Sequence, residues 1–127
     1  MSEQVRVKRV YDLPADEDGL RILVDRLWPR GVSRDKGRID GWLKAVAPSD
    51  ALRRQVHAEP DHGASAEGYA RFAAAYRAEL SGGETAAAAA ELVDMIRAGP
   101  VTLLFAARGH DRNNATVLRD WLLERLD

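Results

Sequence analysis

The chain has 127 residues, 46% of them hydrophobic, with no cysteine and with 19 Lys+Arg against 20 Asp+Glu for a formal net charge of −1. That length suits one domain, here taken as residues 1–127, which buries roughly two-thirds of its unfolded surface and needs no metal or disulfide staple. The missing cysteines remove thiol nucleophiles, redox dithiols and thiolate zinc sites, and the neutral balance argues against a surface that grips nucleic acid throughout.

Sixteen of the 19 cations are arginine and three are lysine. Chemistry by exclusion falls to hydroxyls, carboxylates, three histidines and guanidinium groups. The first twenty residues lack the apolar core of a signal peptide, and no apolar run approaches about 18 residues. A cytoplasmic protein with no membrane partner is expected.

In chain order, Val5, Val7 and Val10 with polar Arg6 and Lys8 predict a half-exposed strand that ends at Tyr11–Pro14 and an acidic turn. Arg21–Asp25 is a short continuous apolar run, the pattern of a strand covered on both faces, and Trp28-Pro29-Arg30-Gly31 breaks it. Residues 32–41 read as a polar loop. Trp42–Val46 fits either a short strand or a helical turn. Ser49 is placed to cap a short helix that carries Leu52 and Val56, and a loop from Glu59 to Ala64 follows.

Ser65 is a second cap, ahead of Tyr69, Phe72, Ala73, Tyr76 and Leu80, which form one apolar helical stripe. Ser81-Gly82-Gly83-Glu84 has capping-box spacing before an alanine-rich helix that Gly99-Pro100 stops. Val101–Ala106 is the second strongly apolar strand, and Asn113-Asn114 open a last helix with Val117, Leu118, Trp121, Leu122 and Leu126 on its buried face. Helices between buried strands predict an α/β fold, a single three-layer domain whose small, largely parallel sheet is flanked by helices.

In such sheets ligands gather outside the carboxyl ends of the strands. Beside the first strand's end at Arg9, Val10 and Tyr11, two more segments leave strands there, one carrying Asp25, Arg26, Trp28 and Arg30 and the second Arg108, Gly109 and His110. The second feeds the helix N-terminus at Asn113 and Asn114, where backbone N–H groups and the dipole favour an anion. Arg26 or Arg30 converging on Arg108 there would hold phosphate or carboxylate in a bidentate fork.

Each residue also has a structural alternative. Asp25 and Arg26 suit structural salt bridges better than a site, and Trp28 suits anchoring the core better than stacking a ligand. His57 can pair with Glu59 or complement the end of its helix; His62 lies in a polar loop, and His110 sits beside the anion site. The histidine spacings match no zinc motif, so no metal site is expected. No phosphate loop, dinucleotide fingerprint or Gly-x-Ser-x-Gly elbow is present.

Lys8–Asp12, Arg21–Gly31, Trp42–Lys44, Ala47–Ser49, Leu52-Arg53, His57 and Leu103–Ala107 together resemble the short, YeaO-like branch of the domain-of-unknown-function 488 family (DUF 488). The resemblance covers nearly the whole chain, and the string from Val24 to Gly31 is its most specific part. It implies an α/β architecture rather than a reaction, and it carries Asp25, Arg26, Trp28, Pro29, Arg30 and Gly31 over directly. Arg108 corresponds only loosely. Relatives are expected to show Cys-His-Arg or Asn-His at the entrance of the last helix, where this chain has Asn113-Asn114.

The leading expectation is a domain that binds a phosphorylated small molecule or nucleotide through Arg26, Arg30, Arg108 and the last helix end, with Trp28, Gly31, Asn113 and Asn114 alongside. If it catalyses, Asp25 is the first candidate for a base or metal ligand and His57 the second. The alternative is a nucleic-acid or protein interaction module built on residues 21–38, which hold six Lys+Arg and two acids, +4 in a neutral chain. Sequence assigns no cofactor and no oligomeric state.

Overall fold

Four strands, β1 (Val5–Arg9), β2 (Leu20–Leu23), β3 (Gly41–Trp42) and β4 (Val101–Phe105), form one all-parallel sheet in the order β1-β4-β2-β3 in the computed structural model, which describes residues 4–63 and 65–126. Central β4 is buried along its whole length, and β2 beside it is buried from Arg21 onward. Edge strand β1 stays half-exposed after Val5, as its alternating sequence predicts. The ladders stop at Leu23 and Phe105, short of the expected Asp25 and Ala106, so those two residues step off the sheet at its carboxyl edge.

The helices are α1 (Arg34–Gly37), α2 (Asp50–His57), α3 (Ala66–Leu80), α4 (Gly83–Ala98) and α5 (Asn114–Arg125). On one sheet face Val5, Ile22, Leu103 and Phe105 join the apolar sides of α3, α4 and α5 in the main core. Ala88 and Ala89 are buried there with Leu92 and Ile96, so the alanine run is a packing face. On the other face Leu23, Leu104 and Val10 meet Ile39, Trp28 and Val32, and the segment carrying the single turn of α1 closes that layer. The result is a single α/β domain with its sheet between two covering layers.

The crossover from β1 to β2 passes through a 3-10 turn at Asp16–Asp18 and then Gly19. Gly19 has φ +64°, and a Cβ there would meet the Pro100 carbonyl oxygen at 2.2 Å, so the tight entry into β2 admits only glycine.

Local signals fare unevenly. Ser49 and Ser65 cap α2 and α3 as expected, accepting from Leu52 N–H and Gly68 N–H. Trp42–Val46 takes both forms, a two-residue strand followed by a 3-10 turn at Lys44–Val46. Two expectations need correction. The loop at 32–41 contains α1, capped by Ser33, a helix too short to show periodicity. Ser81 does not open α4: it closes α3, its hydroxyl donating to Arg77 O at 3.1 Å, and Gly82 occupies the N-cap without a side-chain bond. In the expected Glu59–Ala64 loop, Pro60–Gly63 forms a 3-10 turn and Ala64 lies outside the described residues.

Ser49 also anchors α2 to α3, because its N–H and hydroxyl donate to Glu79 at 2.9 and 2.6 Å. Ser49→Ala is expected to lower stability by about 1–2 kcal/mol, the cost of a lost cap, measured by urea unfolding. Among the described residues no helix is long and apolar enough to cross a membrane.

Candidate anion-binding cleft

The carboxyl ends of β1, β2 and β4 open into one cleft of about 1260 Å³. That exceeds the roughly 300–1,000 Å³ usual for small-molecule pockets. Its floor is the segment Asp25–Arg30, one wall is the loop from Ala106 to Asn113, and the opposite wall comes from α2 and α3. Of the residues expected to act together, Asp25, His57, Arg26, Trp28, Arg30, Arg108, Asn113 and Asn114 all line it. Gly31 does not. It makes the turn after Arg30 at φ +76° and faces a smaller hollow beside Val10 and Val32.

Asp25 is the most constrained group. Ala106 N–H donates to its Oδ2 at 2.9 Å, and the Asn114 amide donates to its Oδ1 at 3.0 Å and to Val24 O at 3.2 Å. Burial pushes the Asp25 carboxyl above the usual aspartate value, and the donors from Asn114 and Ala106 oppose that rise. Asp25 forms no ion pair among the described residues, Arg26 included. Each of its oxygens accepts one of these bonds, which tie the end of β2 to β4 and to α5.

The sign for stability follows from that shift. A carboxyl whose folded value is raised contributes fully below the ordinary aspartate value and loses that contribution as pH rises through the raised one. Asn114→Ala removes a donor from the charged form and from Val24 O. Two effects are expected: the Asp25 titration, followed by carboxyl carbon NMR, moves further up, and stability falls by about 1–3 kcal/mol.

The arginines divide into fixed and free. Arg26 Nε donates to Pro48 O at 2.9 Å, its Nη2 donates to Ala47 O at 3.4 Å, and Asp50 lies 3.9 Å away. Arg26 thus clamps the turn before α2, with part of its guanidinium facing the cleft. Arg30 and Arg108 are exposed, and their guanidiniums bond to none of the described residues. The Arg30 backbone is held, because Tyr11 Oη donates to Arg30 O at 2.9 Å. Arg53 adds a buried Nε with no partner. The described lining residues include five arginines and two aspartates, Asp25 and Asp111, while Asp50 outside the lining lies 3.9 Å from Arg26 and 3.3 Å from Arg53.

All three histidines of the chain reach this cleft. His57 ends α2 and does not pair with Glu59, whose carboxylate binds Arg71 at 2.6 Å. Instead its ring stands edge-on to His62 at 5.3 Å, and His62 Nδ1 lies 3.0 Å from His57 O. His110 Nε2 is 3.5 Å from Asp12 Oδ2. Among the described residues no three His, Asp or Glu side chains are grouped to hold a metal ion.

Trp28 acts chiefly as an anchor, its Nε1–H donating to Val32 O at 2.7 Å and its ring meeting Trp42 edge-on at 5.4 Å. At the entrance of α5 the Asn113 side chain accepts from Thr116 N–H, and Thr116 Oγ1 accepts from Asn113 N–H. This capping box uses two of the backbone donors expected to face an anion. Binding there falls more heavily on guanidiniums than the sequence implies.

Val56, Tyr69 and Phe72 were not among the expected site residues, yet they line the cleft. Periodicity assigns Tyr69 and Phe72 to a core stripe; their place at the start of α3, nearest the carboxyl edge, is the signal that sets them apart from Tyr76 and Leu80.

The family described as DUF488-N3i, the inactive DUF488-N3 subclade, matches residues 4–127. The chain belongs to this DUF488 subclade. Among its relatives is the uncharacterized protein YeaO of Escherichia coli K12, 42% identical over 118 residues that cover 93% of this chain and 96% of YeaO. Uncharacterized proteins of Mycobacterium bovis and Mycobacterium tuberculosis H37Rv are each 40% identical over 119 residues, covering 94% of this chain and 93% of theirs. This DUF488 member has no significant match among solved structures.

Proposed function

We propose that this DUF488 protein binds a small phosphate-bearing anion in the cleft and works as a binding module rather than as an enzyme. The observation that carries the reading is the pair of exposed guanidiniums, Arg30 and Arg108, which line the cleft without a partner among the described residues. Unpaired guanidiniums lining one concave surface suit phosphate, which accepts two parallel N–H bonds from each fork. Lysine in their place would offer a point charge without that geometry.

Two considerations favour binding over turnover. The subclade is described as inactive. Asp25, the first candidate for a general base, has a structural role that accounts for its place, since Ala106 N–H and the Asn114 amide each donate to one of its oxygens. A cytoplasmic location accords with a phosphorylated small-molecule ligand.

The rival reading of residues 21–38 as a basic docking patch is not favoured. Arg21 is buried against Asp18, and Arg26 clamps Ala47 and Pro48. Arg34 donates to Ile39 O, and Arg38 lies 3.8 Å from Asp16. Much of the +4 is therefore spent within the fold.

Calorimetric titration with inorganic phosphate at fixed ionic strength tests the proposal. Saturable binding of one phosphate per chain, with sulfate competing, is the expected result. Heat that never saturates would exclude the site.

A further inference from the structure

Resting on that anion-binding reading, we infer that the ligand joins its phosphate to a flat aromatic ring, as a nucleoside monophosphate does, and that Tyr69 and Phe72 receive the ring. The cleft has two unlike parts. Its loop wall carries the exposed guanidinium of Arg108, and its helical wall carries Val56, Tyr69 and Phe72, all only partly buried. A site for bare phosphate has no use for aromatic rings held open to solvent beside it.

The rings are held in place. Tyr69 Oη and Thr116 Oγ1 share a hydrogen bond of 2.8 Å, which fixes the ring against the first turn of α5. Phe72 stacks on Tyr76 with centroids 5.7 Å apart and 27° between planes, and Tyr76 in turn is buried and donates to Val46 O at 2.5 Å. Little ordering cost therefore remains for a ring that stacks on them. The same turn of α5 joins the two parts, since Asn113 caps it directly after the loop carrying Arg108 and Thr116 reaches Tyr69. A phosphate on the loop side thus adjoins an apolar surface within one continuous cleft, whose 1260 Å³ leaves room for a base and sugar.

Stacking a base on an aromatic side chain is tolerant of base identity and strengthens binding by about tenfold or more. The four common nucleoside 5′-monophosphates are therefore expected to bind at least tenfold tighter than inorganic phosphate, with small differences among them.

Calorimetry with adenosine 5′-monophosphate, adenosine and inorganic phosphate, on wild type and Phe72→Leu, tests this. Leucine keeps the apolar volume, and a circular dichroism melt confirms that the variant folds. The expected result is that Phe72→Leu brings the monophosphate down toward the affinity of phosphate while phosphate itself binds as before. Nucleoside monophosphates that bind wild type no tighter than phosphate would overturn the inference and leave the anion site standing. Absence of any phosphate binding would remove both. If Phe72→Leu weakens phosphate as much as the monophosphate, the aromatic wall is structural and the inference also fails.

Discussion

Asp18→Ala is expected to destabilise the protein by about 3–5 kcal/mol, the largest single-residue effect on folding that the structure implies. Asp18 and Arg21 are 1% and 0% exposed, and the Arg21 guanidinium donates to Asp18 Oδ2 at 2.6 Å. Lys8 Nζ is 3.0 Å from the same oxygen, which also accepts from Ala15 N–H at 3.0 Å. Removing the carboxylate leaves Arg21 buried with a hydrogen bond from Nε to Gly37 O and with an Nη2 that already lacks a partner. An uncompensated buried charge is the costly case, whereas replacing both partners with apolar groups is often neutral. Asp18→Leu combined with Arg21→Met should therefore be less damaging than Asp18→Ala alone. In a chain of this size the single variant should lose on the order of 10 °C in melting temperature.

The pH dependence of that loss has a definite sign. Burial works to raise the Asp18 carboxyl, but the bonds from Lys8, Ala15 N–H and Arg21 outweigh it, and the net direction is down. A lowered folded value means that the stabilisation is fully present above the ordinary aspartate value and is lost as pH falls through the lowered one. Urea midpoints of wild type and Asp18→Asn should differ most at neutral pH and converge in strong acid. A gap that widens on acidification would contradict the assignment.

The second large effect concerns binding. Arg30→Ala and Arg108→Ala are each expected to weaken phosphate by about ten- to hundredfold, since a hydrogen bond to a charged group contributes roughly 1.5–3 kcal/mol. Neither guanidinium has a partner to lose among the described residues, so melting temperature should hardly move. Arg119→Ala is the matched control: Arg119 lies on α5, pairs with Asp120 at 3.2 Å and does not line the cleft. Its phosphate affinity should equal that of wild type. Arg26→Ala is expected to differ in kind, lowering stability as well as affinity, because it frees the carbonyls of Ala47 and Pro48.

Much of the framework is legible along the chain because its causes are local. The apolar runs at 22–24 and 103–105 mark the two buried strands, and the hydroxyls of Ser49 and Ser65 and the amide of Asn113 mark helix starts. The carboxyl-edge rule then brings Asp25, Arg30 and Arg108 to one cleft before any coordinate is known. What stays hidden depends on contacts between distant segments. Asn114 holds Asp25 across 89 residues, and nothing in either neighbourhood announces the pair. Arg26 finds its carbonyl partners only when the turn before α2 folds back on β2, and Tyr69 and Phe72 reach the cleft only through the long crossover from β3 to β4.

The same distinction changes the meaning of Asn114. The family resemblance leads one to expect a histidine or cysteine at the entrance of this helix, and Asn113-Asn114 offer neither a base nor a thiol there. In the folded protein the amide has a positive role: it supplies a hydrogen bond to a buried carboxylate and another to a strand carbonyl.

Backbone NMR during a titration with inorganic phosphate at constant ionic strength tests the central claim most directly, because it shows where the anion sits. Saturable shifts confined to the amides of residues 26–31 and 106–116 are the predicted result, with the α4 amides unmoved. Shifts that fail to saturate, or that spread over surface arginines outside the cleft such as Arg97 and Arg119, would contradict the account.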